Sequence, residues 1–320
     1  MSKCNWDLGF DWSLVIGVWS FSIMYNEISS NKRKSVLLMT FFIAFIILIG
    51  YIFDLAYGQG QAWSGVSFAV IFSLCMTAFS YFAGDKVALS TTGAKLIEHD
   101  DNKYYYHLVE NLCIANGMPM PKLYIIEDPA INAFATGRKP ELASIAVTRG
   151  ALEKLTNEEL EGVLAHELSH IKNYDIRFMM LVAVMVGSIV MLSDIFLRSG
   201  RFINSRNNRR EGNQFALIFL IVGIIIAILS PIIAELIKLA ISRQREYLAD
   251  ASGSLLTRYP EGLASALEKI SGENRPMQKA SSATAHLFIA SPFSGKKLSA
   301  MFSTHPPVEE RIKRLRMMGR

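Results

Sequence analysis

Four stretches of this 320-residue chain are apolar over about the length a helix needs to cross a bilayer, and no other feature constrains the fold as strongly. The hydrocarbon core is about 30 Å thick and a helix rises about 1.5 Å per residue, so a span takes about 20 mainly apolar residues. Ser35–Phe53 carries no charge between Lys34 and Asp54, and Ala62–Gly84 carries none before Asp85. Phe178–Leu197 is interrupted only by Asp194, and Phe215–Ala234 is uncharged and contains Pro231. A hydrophobic content of 51% argues against a purely soluble protein. Leu14–Met24 is too short to span and has no small-residue cleavage site, so it reads as an interfacial or packed helix, and the N-terminus is expected to be kept.

Charge orients these stretches. The first two are joined by Asp54–Gln61, which holds Gly58 and Gly60 and no basic residue, so they form a hairpin with a short outer loop. Lys32, Arg33 and Lys34 precede the hairpin, and Lys86 and Lys95 follow it. Basic residues mark the cytoplasmic side, so the N-terminus and the segment after Gly84 are both expected there. Cys4, Cys75 and Cys113 are odd in number, show no metal-type spacing and offer no disulfide framework, which fits a reducing compartment. The net charge of +5 includes no basic run interleaved with aromatics, so the lipid bilayer is the expected partner and nucleic acid is not.

The expected organisation is an N-terminal extension (1–34), a transmembrane hairpin (35–84), a first part of a globular domain (85–177), a second hairpin (178–234) and a second part of the domain (235–320). Within 85–177, Tyr104–Ile114 is expected as an amphipathic helix ending near Asn116-Gly117. Lys122–Glu127, Ala133–Arg138 and Ser144–Thr148 read as short strands separated by Asp-Pro and Lys-Pro turns. Thr156 and Glu159 form a capping-box pattern that opens a helix. After Glu235 the chain continues helically to Asp250; Ser271–Ser282 is loop-like, and a basic helix follows Pro307.

The helix opened at Thr156 carries His166-Glu167-Leu168-Ser169-His170. Residues four apart share a helix face, so the two imidazoles can hold one zinc ion, and Glu167 sits where it can take a proton from a water on that ion. A chance His-Glu-x-x-His is rare in a chain with six histidines. A solvated face carrying two histidines is the plainer alternative, against which the flanking Leu164, Ala165 and Leu168 argue. A catalytic zinc site usually takes a third protein ligand and leaves one position open. Glu246 is a candidate for that ligand, and Asp250, on the same helical face, is a candidate acceptor for a ligating imidazole, although an acidic pair at this spacing is by itself more often a surface feature. His99, His107 and His286 have no partner at ligand spacing and read as structural or exposed.

Taken in order, Asp128-Pro129-Ala130-Ile131-Asn132-Ala133-Phe134-Ala135-Thr136-Gly137, the His-Glu-Leu-Ser-His segment, Glu246 to Asp250, and Thr304-His305-Pro306-Pro307 with Arg311 resemble the motif series of HtpX-like membrane proteases. These are gluzincin metalloproteases distantly related to the CAAX prenyl proteases, and the resemblance covers nearly all of Ser35–Arg320. It implies a zincin-type domain, His166, His170 and Glu246 as ligands of one Zn2+ per chain, Glu167 as catalytic base, and degradation of damaged membrane proteins at a bacterial-type inner membrane. It also implies that Asn132–Gly137 is an edge strand to which substrate adds, with Asn132 in contact, against an ordinary hairpin as the alternative. His305 and Arg311 are implied to lie near the metal, as catalytic donors to an oxyanion.

The fold class expected is thus α+β, mainly helical, with about four transmembrane helices and a cytoplasmic protease site near the membrane surface, hydrolysing unfolded or membrane-protein substrates. Arg198, Arg201, Arg206, Arg209 and Arg210 between the third and fourth stretches run against the positive-inside tendency if both stretches span fully; full spanning is the reading adopted, with incomplete insertion of the second pair as its rival. A prenyl-peptide processing protease and a non-catalytic scaffold retaining zinc are the alternative functions; the presence of Glu167 argues against the scaffold.

Overall fold

The computed structural model describes residues 12–57, 63–187, 243–273, 275–279, 284–293 and 306–319. The second half of Phe178–Leu197, all of Phe215–Ala234, the arginine-rich segment between them and His305 lie outside the described residues.

Helices α1 (Trp12–Tyr57) and α2 (Ser64–Thr92) contain the two candidate membrane spans, Ile28–Tyr51 and Ser64–Thr92. Only 28% and 17% of their apolar windows are buried, so these are not core helices of a soluble fold. Val36, Leu37, Phe41, Leu48, Phe68, Ile71, Leu74, Phe79 and Phe82 face outward, where lipid provides the apolar surroundings that protein does not. Small residues bring the pair together: a Cβ built on Gly50 would lie 2.6 Å from Ala69 Cβ. Asp54 then accepts from the first-turn amides of Gly65 (2.8 Å) and Val66 (2.9 Å), capping α2 from α1. Neither helix stops where its apolar stretch stops. Residues 12–34 continue into the span as one helix, and α2 runs past Gly84 until Gly93 adopts φ 70° and ends it.

A four-stranded sheet follows, in the order β1-β2-β4-β3, from β1 (Ala94–Leu96), β2 (Lys122–Ile126), β3 (Ala133–Thr136) and β4 (Ser144–Thr148). β2 and β4 are parallel; β1 and β3 flank them antiparallel, which leaves β3 at an edge. Helix α3 (Lys103–Asn116) is capped by Asn102 and closed by Gly117 at φ 63°. Helix α4 (Arg149–Lys154) leads into α5 (Asn157–Lys172). The core of the globular part packs α3, the sheet, α5 and α8 (Pro260–Glu273) around Tyr105, Val109, Ile145, Leu164 and Leu267.

Helix α6 (175–187) leaves this core and packs Phe178, Leu181, Val182, Met185 and Val186 against Leu38, Phe42, Ile46 and Ala69 of the membrane pair. Helix α7 (Arg243–Thr257) returns to cross α5, and α9 (Val308–Met318) closes the far side. The chain is therefore mainly helical with one small sheet, and its membrane helices and globular core share a boundary at the α5–α6 turn.

Candidate active site

Helix α5 is fixed at its start by a complete capping box: Thr156 Oγ1 accepts from the Glu159 amide at 3.4 Å, and Glu159 Oε2 accepts from the Thr156 amide at 2.8 Å. Lys269 of α8 holds the same carboxylate at 2.7 Å. Three turns further on, His166, Glu167 and His170 are all buried.

α7 reaches this face because Gly253 allows it. A Cβ built there would sit 3.0 Å from the His166 nitrogen and 3.2 Å from Ala165 C, so the helices touch backbone to side-chain-free backbone. Glu246, Asp250 and Gly253 are spaced i, i+4, i+7 and share the contact face. The ligand atoms of His166, His170 and Glu246 consequently lie within 4.8 Å of one another, the one group of three or more such residues that could hold a metal among the described residues.

The imidazoles are oriented from behind. His166 Nδ1 lies 3.0 Å from Asp250 Oδ1, and His170 Nδ1 lies 2.9 Å from Asp175 Oδ2. A carboxylate at Nδ1 selects the tautomer with its proton there, which leaves Nε2 as a lone pair. The two Nε2 atoms are 3.1 Å apart, with Glu246 oxygens 3.9 Å from His166 and 3.7 Å from His170. Two imidazoles on one tetrahedral ion at about 2.0–2.1 Å would hold their nitrogens about 3.3 Å apart. At that separation either one Nε2 carries a proton that the other accepts, or a metal ion sits between the rings and the carboxylate.

The cluster is also rich in buried carboxylates. Glu167, Glu246, Asp250 and Asp175 are all buried, and among the described residues Arg311 and Arg245 are buried cations beside them. Carboxylates gathered in this way are costly to bury unless cations stand beside them, and a divalent ion is one such cation. The two imidazoles are pushed in opposite directions: burial takes His166 down to about 4. At His170 burial acts in the same direction, but the Asp175 hydrogen bond with the charges of Glu246, Asp175 and Glu167 outweighs it and lifts the ring to about 9. The residues present fit a metal ion.

Arg311, on α9 and wholly buried, donates from Nε and Nη2 to Asp250 at 2.9 and 2.7 Å, and its Nη1 is 3.7 Å from Glu246 Oε2. It stands behind the two carboxylates, with its paired donors committed to Asp250. Asn132 is 3% exposed, and its amide bonds the backbone of Ala290, donating to the carbonyl at 3.0 Å and accepting from the nitrogen at 3.4 Å. Beside it, Ile289 donates to the Ala133 carbonyl at 3.0 Å and Phe288 bridges Phe134, so a segment of the chain itself lies along the start of the β3 edge.

Two features differ from the sequence reading. His99 and His107 do meet, with Nε2 atoms 3.3 Å apart on the surface, because the turn after β1 folds back over α3; no third ligand joins them among the described residues. Asp175 was missed. On an unbroken helix a residue five positions after His170 would point about 140° away. The helix breaks at Asn173–Tyr174, with Tyr174 in the left-handed region at φ 61°, and this turn swings Asp175 back under the ring.

The profile of Peptidase family M48 matches residues 99–318. A protease HtpX homolog of Caldanaerobacter subterraneus subsp. tengcongensis is 45% identical over 298 residues, 92% of this chain and 98% of that protein. Homologs of the same name from Dictyoglomus turgidum and Tropheryma whipplei are each 46% identical, covering 92% and 93% of this chain and 95% and 99% of their own. Among solved structures, S. mikatae Ste24p is similar in fold, with a TM-score of 0.50 at 18% identity over 91% of this chain and 67% of that one. With two lipid-facing helices beside a buried His-His-Glu cluster, the chain belongs to peptidase family M48 and is a membrane-bound metalloprotease.

Proposed function

We propose that the chain is a zinc-dependent endopeptidase that cleaves unfolded or damaged proteins, membrane proteins among them, at the cytoplasmic face of a bacterial-type inner membrane. The observation that carries the metal reading is the buried cluster of His166 Nε2, His170 Nε2 and a Glu246 oxygen, all within 4.8 Å of one another. Zinc, held by His166, His170 and Glu246, would supply an acidified water and polarisation of the scissile carbonyl.

The protein's own groups supply the rest. Glu167 takes a proton from the attacking water as the new C–O bond forms at the carbonyl carbon. As the C–N bond breaks, Glu167 returns that proton to the leaving amine. Asp250 and Asp175 keep the imidazoles oriented, and Arg311 locks Asp250 while its charge opposes that of Glu246. His305 is proposed as the oxyanion donor.

Extended substrate is proposed to add to the β3 edge, where backbone groups at Ala133 and Ala135 face outward by alternation. Entry at Asn132 requires Phe288–Ala290 to yield its place, after which the Asn132 amide is available to the substrate backbone. The names of the relatives and the membrane helices support proteins at the bilayer as substrates, and two further spans within 178–234 complete the proposed set of four.

Glu167→Gln keeps the shape of the base and removes its proton affinity. Purified protein loaded with zinc and assayed on casein should lose about 10²–10⁴-fold in cleavage rate with zinc stoichiometry unchanged at one. Equal cleavage by the two proteins would overturn the mechanism.

A further inference from the structure

Asn31 lies on α1, at the start of the Ile28–Tyr51 span, and is wholly buried. Its two amide hydrogens are both used at the α5–α6 turn: Nδ2 donates to Asp175 Oδ1 at 2.6 Å and to the Asn173 carbonyl at 3.0 Å. The assignment of nitrogen and oxygen is fixed by this pattern, because the reverse orientation would set the amide oxygen against two acceptors. The other Asp175 oxygen holds His170 Nδ1. A continuous chain of hydrogen bonds therefore runs from a membrane helix, through one carboxylate, to an imidazole of the metal cluster.

The same turn is gripped a second time from α1, by Lys32 over the Tyr174 ring at 4.4 Å. Tyr174 adopts a left-handed conformation that a tyrosine rarely holds without support, and Asp175 depends on it for its position. Packing alone does not explain an asparagine here. Its Oδ1 has no hydrogen-bond partner among the described residues, a loss that an apolar side chain would avoid. What asparagine offers is two donors, one aimed at each acceptor of the turn.

We propose that Asn31 is a positioning residue for the metal centre: it fixes the Asp175 carboxylate, and through it the tautomer and orientation of His170, so that the site is complete only when α1 is docked. This rests on the reading of His170 as a zinc ligand. It makes the first membrane helix a working part of the site and not solely an anchor, and it predicts that displacement of α1 from the α5–α6 turn loosens the metal.

The test uses the full chain purified in detergent. Zinc affinity is read by competition with a chromophoric chelator, and ligand geometry by the visible spectrum of the cobalt-substituted protein. Asn31→Leu should weaken zinc binding about tenfold, the lower end of what losing an outer partner of a ligand costs, and should shift the cobalt bands. Ser35→Ala, which removes the 2.8 Å hydrogen bond to the Asn31 carbonyl on the same buried face, should change neither. In an Asp175→Ala background, Asn31→Leu should cost nothing further. An additional tenfold loss there, or wild-type affinity and spectrum in Asn31→Leu alone, would overturn the proposal. Should Asn31→Leu fail to fold, the isosteric Asn31→Asp decides: it places a carboxyl against Asp175, and zinc affinity within twofold of wild type would overturn the relay. If the unaltered protein takes up no zinc, the ligand reading itself falls; zinc bound equally by wild type and variant removes only the role of Asn31.

Discussion

Taking the guanidinium from Arg311 would leave Asp250 and Glu246 buried without their common counter-charge. Breaking a buried ion pair from one side costs about 3–5 kcal/mol, so Arg311→Met should lower unfolding stability by about that amount, measured by denaturant titration of the metal-free protein. The pH dependence has a definite sign. Burial alone would raise the Asp250 carboxyl, but Arg311 and His166 more than reverse this and hold it down to about 2. A carboxylate depressed in the folded state contributes stability that is complete above its unfolded value and lost as pH falls through the folded one. The wild-type contribution should therefore fade between about pH 4 and 2, and in Arg311→Met acid unfolding should begin at higher pH. An unchanged acid limb would remove the ion pair from the account. At this scale the spacing of His166, Glu167 and His170, and of Glu246 and Asp250, was readable, because helical periodicity dictates which side chains share a face. Asp175 and Asn31 were not. One depends on a left-handed turn at a tyrosine, the other on a contact across 144 positions, and neither leaves a local pattern.

Among the elements, α5 is approached closely on two sides through glycines. Gly253 brings α7 to His166, and Gly162 would place a Cβ 2.6 Å from the Leu263 nitrogen of α8. Gly253→Ala has to push α7 outward by a few tenths of an ångström, and α7 carries Glu246 and Asp250. Overpacking of this kind costs about 1–3 kcal/mol, and the displaced ligand should weaken zinc as well, read by thermal unfolding and chelator competition. Gly272→Ala is the internal contrast. Nothing lies within 4 Å of the added methyl near the end of α8, so about 0.5–1 kcal/mol of stability should be gained and zinc affinity left alone. Equal effects at the two positions would mean that the helix contact does not set the ligand position. The strands β2, β3 and β4, α3 and the capped start of α5 were legible from β-branched runs, turn residues and the Thr156–Glu159 pair. β1, at three residues, is too short to show alternation. The unbroken course of α1 escaped notice because the charges at Lys32–Lys34 mark where apolar sequence ends, and a helix has no reason to end there.

For the whole molecule the open question is which side of the bilayer holds residues 198–210, with their five arginines. Basic residues favour the cytoplasm, but the geometry of α6 argues for crossing. α6 begins at Asp175, beside Asn31 at the start of the first span, and runs for 13 residues against Leu38, Phe42 and Ile46. At about 1.5 Å per residue it descends roughly 20 Å, more than half of a hydrocarbon core about 30 Å thick. Ser188–Leu197 continue apolar except for Asp194, so turning back at that depth would leave polar backbone in lipid. We therefore expect Ser199→Cys, in a chain with Cys4 and Cys75 replaced by serine, to be labelled in intact cells by a membrane-impermeant maleimide added from outside. Glu98→Cys, exposed in the globular part, should be labelled only after the membrane is opened. Cys113 can stay: it is buried, and burial pushes its thiol up to about 11, so almost no thiolate is available at pH 7. Labelling of Ser199→Cys only in opened cells would place the arginines inside and reduce the second hairpin to a partial insertion, leaving the metal site held at the membrane by α1, α2 and the upper part of α6.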